Sequence, residues 1–541
     1  FNRTTGVLDM ARPLGHREVA GRYAHGTHVL DAAAGADPDD PEEADFRRRV
    51  KIIAVNLPGS ITFGESGTFL DCFMIYAIQR ISDVADAVWD KNHPDAAPEA
   101  RRGYPVVINL SFGKQAGSKT TLDVFPAALK AFHQRRRDEN RMPVQFVMPV
   151  GNDNLARCNA FLTPRREGEV DHIEALNWRV QPEDQSANYV EIWSECFSHP
   201  SAFSKGEAPV PLELAVVPPG QTEPSFAAGR NGQVRLLVPE GAGPDEQPAG
   251  AIYFQVVEDE RIPGTCRFRY VIATAPTLVQ DGDGPQAPAG VWSIRLRNPT
   301  PKRILCIASI QTDQAILPGR AIGLRSYFDD EAYWVYDQDG AHVETGRALE
   351  SYEFRPDLQT EPRPKNLDLV SGSRVRRHGT MNASAAHAAV ARVGGFRASD
   401  QRTAPYSATG RGRWNGEDDG THEIGGETED PDRKRAPTAN LPTDDGPAHF
   451  GILSAGAANG SVVAMQGTSF ASSQATRCVV RELLAGRDPT YSASATLHRV
   501  AKGKDVGPDL GVTQDCDNLD VGRIASPLRP RVNRMGQEDD A

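Results

Sequence analysis

FVMPVGNDN, Phe146 to Asn154, is the stretch on which the fold of this chain turns. Its apolar run is unbroken as far as Val150. That is the pattern of a strand buried on both faces, and so of a parallel sheet covered by helices. Gly151 and Asn152 then close the strand at its C-terminal end, the edge where open α/β sheets assemble their sites. The alternation repeats upstream. Val106-Val107-Ile108-Asn109-Leu110 reads as a second buried strand, and Leu122 to Arg136 as the helix between the two. Thr68 to Ala87 carries Leu70, Phe73, Ala77, Ile78, Ile81 and Val84 at helical spacing, with Thr68 as its N-cap. Val50 to Val55 is a further β-branched run, bounded by Pro58-Gly59. Strand–helix–strand repeats imply right-handed crossovers and a doubly wound parallel sheet of the α/β class.

Downstream the pattern changes. Short strand candidates recur at Asn188–Trp193, Leu212–Val217, Val234–Val238, Ile252–Val257, Phe268–Ala273, Val291–Leu296, Ile304–Ile310 and Tyr333–Tyr336. Gly, Pro, Asp and Asn separate them and helix signals are nearly absent, which predicts an antiparallel β-sandwich. Trp178, Trp193, Trp292 and Trp334 read as its core rather than as a sugar platform. At 541 residues the chain exceeds one ordinary core, so a second domain or a large insertion is expected. We divide it into a first part of the α/β domain at 1–157, an inserted β-sandwich-like domain at 158–370, a second part at 371–500, and a tail at 501–541. Within the second part, 411–446 is rich in Gly, Asp and Glu and reads as a mobile acidic loop.

Four stretches carry chemistry. At the end of the first-quoted strand, the Asn152 amide is placed to donate to a developing oxyanion. In QGTSFASSQATRCVV, Gln466 to Val480, a Gly-Thr-Ser turn runs into a helix, and Ser469 sits near the positive end of its dipole. That placement suits a nucleophile, which must be exposed, fixed and near a general base. In YAHGTHVLDAAAG, Tyr23 to Gly35, His25 and His28 flank a Gly-Thr ahead of a small-residue helix. In VVINLSFG a strand runs into Ser111-Phe112-Gly113, an edge able to pair with an extended peptide by β-addition. Each stretch alone has a plainer reading: a histidine pair for a metal, a helix cap, a turn Asn, a strand-ending turn.

Together, and in this order, the four resemble the subtilisin-like serine proteases, the subtilases. The resemblance implies His25 as general base, Ser469 as nucleophile and Asn152 as oxyanion donor, with Ser111, Phe112 and Gly113 binding substrate backbone. Val390 to Gly395 followed by Ala404-Pro405-Tyr406-Ser407 resembles the strand and turn that precede the family's serine box. Departures are a Phe at 470 where Met is usual, no proline after it, and Gln466 where Asn is common. The β-rich block between Asn152 and Ser469 then sits inside the catalytic domain; insertion at a surface loop costs little closure entropy. One part is missing. The family's triad Asp lies on a strand upstream of the histidine, yet only 24 residues precede His25. Asp9 has no buried strand before it, and Asp31 lies within the His25 helix and faces elsewhere. The expected source is a separate N-terminal fragment, or a segment that the sequence lacks.

Charge and cysteine content bound the rest. A net charge of −12 argues against nucleic acid as a partner. No apolar run is long enough to span a membrane. The 7 cysteines are scattered and form no CxxC pair, which points to reduced thiols in a bacterial cytoplasm rather than to a zinc site or secretion. The opening FNRTTGVLDM has neither a basic start nor an apolar core and reads as a fragment or processed end. The sequons at Asn2, Asn382 and Asn459 do not overturn this. The expected partner is a polypeptide substrate, and no metal or cofactor is required. Family members often bind structural calcium, but no acidic loop here, Glu417-Asp418-Asp419 included, is specific enough for a site. Two other readings stand beside the peptidase: a catalytically impaired scaffold binding a partner through the β insertion, and an esterase.

Overall fold

The computed structural model describes residues 24–502, apart from 58–69, 334–372, 411–436 and some shorter stretches. A four-stranded parallel sheet forms its centre. The strands are β1 (Val106–Asn109), β2 (Val144–Pro149), β3 (Ala391–Arg397) and β4 (Ala439–Asp444), side by side in that order. Ile108 aligns with Phe146, Val147 with Ala391, and Val393 with Ala439.

Five helices matter for the site: α1 (His25–Ala34), α2 (Leu70–Asn92), α3 (Val124–Asp138), α4 (Thr468–Leu484) and α5 (Ala493–Lys502). The period of two along β2 divides them between two layers. Phe146 and Met148 pack with Leu70, Met74, Ile78, Phe125 and Leu129 of α2 and α3. Val147, between them, packs with Ala471, Ala475, Val479 and Leu497 of α4 and α5. Both faces of β2 are therefore covered, and all six of its residues are buried. This is the doubly wound arrangement that the unbroken apolar run predicts.

Between β2 and β3 the chain leaves the parallel sheet and builds two antiparallel ones. One has five strands, with Ile173–Val180, Gly290–Arg297 and Glu213–Val217 at its middle. The other has seven, centred on Thr265–Thr274, Asn188–Ser194 and Cys306–Gln311. One apolar core joins them, with Trp178, Leu214, Trp292 and Ile294 from the first and Val190, Ile192, Phe268 and Ile272 from the second. The fold is thus α/β with an inserted β-sandwich. Trp178 and Trp292 lie in that core, as expected; Trp193 is buried outside it, its indole N–H donating to Glu191 at 2.9 Å, and Trp334 lies outside the described residues.

Three expectations change. The acidic loop expected over 411–446 ends early, because Ala439–Asp444 is β4 and fully buried. Its Asn, Pro, Thr and Asp hide a strand from sequence reading. Among the described residues it is an edge strand, where a proline is tolerated, and α4 and α5 cover it. Second, Val50–Val55 belongs to no sheet among the described residues, and Ile52, Ile53 and Val55 are exposed. A β-branched run states a preference, but a strand forms only against a partner's backbone. Third, Ile173–Val180, unpredicted, is an inner strand of the five-stranded sheet. The expected cap Thr68 and the strand Tyr333–Tyr336 fall on residues outside the description, Tyr333 apart, which is in no strand.

Candidate active site

The four chemistry-bearing stretches converge on the N-terminus of α4. Gly467, which precedes the helix, has φ +140°, a conformation that L side chains rarely adopt. A Cβ there would also lie 3.4 Å from Nδ2 of Asn152. Glycine therefore lets the chain turn sharply into the helix and leaves room for the Asn152 amide. Ser469 follows in the first turn and is 8% exposed. Its hydroxyl makes no hydrogen bond with any described residue.

Asn152 stands at the end of β2 and reaches across to this turn. Its Oδ1 accepts both the backbone N–H and the hydroxyl of Thr468, each at 2.9 Å. A backbone N–H can only donate, so the oxygen end of the amide is fixed there. Nδ2 is left to point away from Thr468, and it donates to no described residue. The backbone N–H of Ser469 is among the first four of the helix, which have no intrahelical acceptor. It too has no partner among the described residues. Two uncommitted donors thus stand at the turn that carries Ser469.

His25 opens α1. Its ring centroid lies 5.6 Å from that of Phe470, next to Ser469, and 6.4 Å from that of Phe112, next to Ser111. It is half-buried, and burial, then the neighbouring His28, hold its pKa below the usual 6.5. The imidazole is therefore neutral near pH 7, the form a base needs. His28 has a different task. It is fully buried, and its Nε2 bonds the Ile452 carbonyl at 2.7 Å. Ile452 belongs to the hairpin β5 (Ile452–Ala455) and β6 (Val462–Met465), which leads into α4. The same hairpin takes Asp31, whose Oδ2 accepts from Ser454 Oγ at 2.5 Å and Ala455 N at 2.9 Å. His28 and Asp31 fasten α1 to the hairpin. Asp9 lies outside the described residues, and no group of His, Cys, Asp and Glu among the described residues forms a metal cluster.

Ser111 is tied to the same helix. Its hydroxyl receives from Asn109 Nδ2 at 3.0 Å, and lies 3.4 Å from the Ser469 carbonyl and 3.2 Å from Ser472 Oγ. The edge beyond it is prepared by a residue the sequence reading treated only as a sequon. Buried Asn382 donates to the Phe112 carbonyl at 3.0 Å, and its Oδ1 accepts from Lys114 N at 3.1 Å. In an extended chain, neighbouring residues turn their N–H and C=O to opposite sides. Asn382 occupies one side, and the N–H and C=O of Gly113 have no partner among the described residues. Glycine at 113 is required by contact, because a Cβ would fall 2.0 Å from the Asn382 amide. No signal local to Asn382 announces this role.

The weaker match is also in place. Val390-Ala391-Arg392-Val393-Gly394-Gly395 leads into and forms most of β3, and the Ala404–Ser407 turn closes on it through Ala404 N to Gly395 O at 2.9 Å. No helix among the described residues is long and apolar enough to cross a membrane.

No protein-family model matches the chain, and no curated protein does. Among solved structures the chain is similar to the CspB protease of Clostridium perfringens. The likeness covers 97% of this chain and 83% of that one, with a TM-score of 0.53 and 13% identity. At that identity it speaks to the fold, which this chain shares with a protease.

Proposed function

We propose that this chain is a subtilisin-like serine endopeptidase. Ser469 Oγ attacks the scissile carbonyl while His25 takes its proton. The oxyanion is held by Asn152 Nδ2 and the Ser469 N–H. His25 returns the proton to the leaving amine as the C–N bond breaks, and water then releases the acyl group by the same route in reverse. The observation that carries this reading is the pair of uncommitted donors at the turn bearing Ser469, with the His25 ring packed on Phe470 beside it. Gly113 supports a peptide over an ester, since its free N–H and C=O suit an extended backbone.

The carboxylate that would orient His25 comes, on this reading, from outside the described residues. Its lack costs serine proteases on the order of 10⁴ in kcat. A second reading, a catalytically impaired scaffold that binds a partner through its β insertion, draws support from Asp31, the acid nearest His25 in sequence, being turned to the hairpin. A fluorophosphonate probe separates the two. Stoichiometric labelling lost in Ser469→Ala supports the peptidase. A folded chain that stays unlabelled at pH 8 even when its orienting carboxylate is supplied removes it and leaves the scaffold.

A further inference from the structure

The β insertion leaves the parallel sheet just after Asn152 and is built back against both walls of the candidate cleft. Arg325, just ahead of the Tyr327–Phe328 strand of the five-stranded sheet, places Nη2 at 2.9 Å from Oδ1 of Asp153. Asp153 is buried and directly follows Asn152. The segment bearing Arg325 is pinned on both sides. Leu324 N donates to Oδ1 of buried Asp184 at 3.1 Å, and Phe328 N donates to the Arg157 carbonyl at 2.9 Å. The opposite wall is held from the seven-stranded sheet, where Gln311 Oε1 accepts from Ala116 N at 3.1 Å. Ala116 lies three residues beyond Gly113, and both Gln311 and Ala116 are buried.

On its other flank the Asn152 loop rests on the parallel-sheet domain alone. Ala408 N donates to Gly151 O at 3.0 Å, and Asn154 Nδ2 to Pro405 O at 2.9 Å. The loop that aims the Asn152 amide is thus gripped from two sides, and one grip is charge-assisted and comes from the insertion.

We infer that the β insertion is a positioning element of the catalytic site, and that Arg325, through Asp153, is the residue by which it fixes the aim of Asn152. Oxyanion donors act only at the right distance and angle, and a displacement of about 1 Å costs on the order of 10² in rate. Arg325 touches no reacting atom, so any effect it has on the reaction passes through the loop that carries Asp153 and Asn152. This inference rests on the peptidase reading for its consequence, but not for its geometry.

The test uses the full chain and the variants Arg325→Gln and Arg325→Lys. Two readouts are taken: hydrogen exchange at the Thr468 amide, which bonds Asn152 Oδ1, and the kinetics of fluorophosphonate labelling at Ser469. Arg325→Gln is expected to speed exchange at Thr468 and to lower the maximal labelling rate about tenfold with the half-saturating concentration unchanged. Arg325→Lys, which keeps the charge, is expected to recover most of both. Unchanged exchange at Thr468 in a folded Arg325→Gln protein overturns the positioning role, whatever the labelling shows. Faster exchange in Arg325→Gln, where the parent chain fails to label even with its orienting carboxylate supplied, upholds the positioning and removes the peptidase. A general loss of exchange protection in Arg325→Gln, matched by Arg325→Lys, makes Arg325 structural and also overturns the proposal.

Discussion

Asn152 and His25 are the residues whose chemistry is most directly testable. With Oδ1 held by Thr468, the Asn152 side chain has one remaining function, donation from Nδ2. Asn152→Ala is therefore expected to lower kcat by about 10²–10³ with little change in KM, read in steady-state peptide hydrolysis. A mere rise in KM would make Asn152 a ground-state binder. The pH profile follows from His25. Burial and His28 favour the neutral ring, so protonation, which switches off a base, is displaced to lower pH. The acid limb of labelling at Ser469 is expected to have its midpoint below 6.5, the ordinary histidine value. A midpoint above 6.5 would instead show an ionised carboxylate beside His25, the orienting acid that the peptidase reading takes from outside the described residues.

At the scale of elements, helix α4 carries the nucleophile and must be held in register with the sheet. Apolar packing holds one face, through Ala471, Ala475 and Val479. A buried ionic cluster fixes the other side. Arg477 bonds the Glu43 carboxylate and the Gly35 carbonyl at the end of α1, and Arg481 reaches Glu43 at 2.5 Å. The Arg477 guanidinium also lies over the Phe46 ring, 4.3 Å from its centroid. Arg477 and Glu43 are both buried, and burial depresses the pKa of Arg477 despite its partner. Removing the acid leaves a buried cation uncompensated. Glu43→Ala is expected to destabilise the fold by about 3–5 kcal/mol in urea denaturation, and Glu43→Gln by less. A loss below about 1 kcal/mol would mean that water reaches Arg477.

The whole molecule joins a parallel sheet to a sandwich with its own core. Trp178 and Trp292 are fully buried in that core, their rings 6.3 Å apart. Trp178→Ala is expected to cost about 3–5 kcal/mol, read as a fall in the unfolding midpoint. If the insertion braces the cleft, labelling at Ser469 should decline as the sandwich unfolds rather than persist beyond it. The parallel strands β1 and β2, the helices α2 and α3 and most sandwich strands were legible in the sequence, because apolar periodicity is a local property. The residues of the candidate site were legible too, through four short stretches whose order and types resemble one family. Strand β4 was not, because its burial comes from helices that follow it in the chain. Val50–Val55 misled, because its residues favour a strand that no described partner completes. The sequence by itself determined the fold class, the layers and the candidates His25, Asn152 and Ser469. Only the tertiary structure showed what His28 and Asp31 hold, the hairpin ahead of α4, turned Asn382 from a sequon into the backing of the Gly113 edge, and joined Arg325 to Asp153. Those contacts link residues far apart in the chain, and a hydrogen bond across such a distance leaves no periodic mark in the sequence.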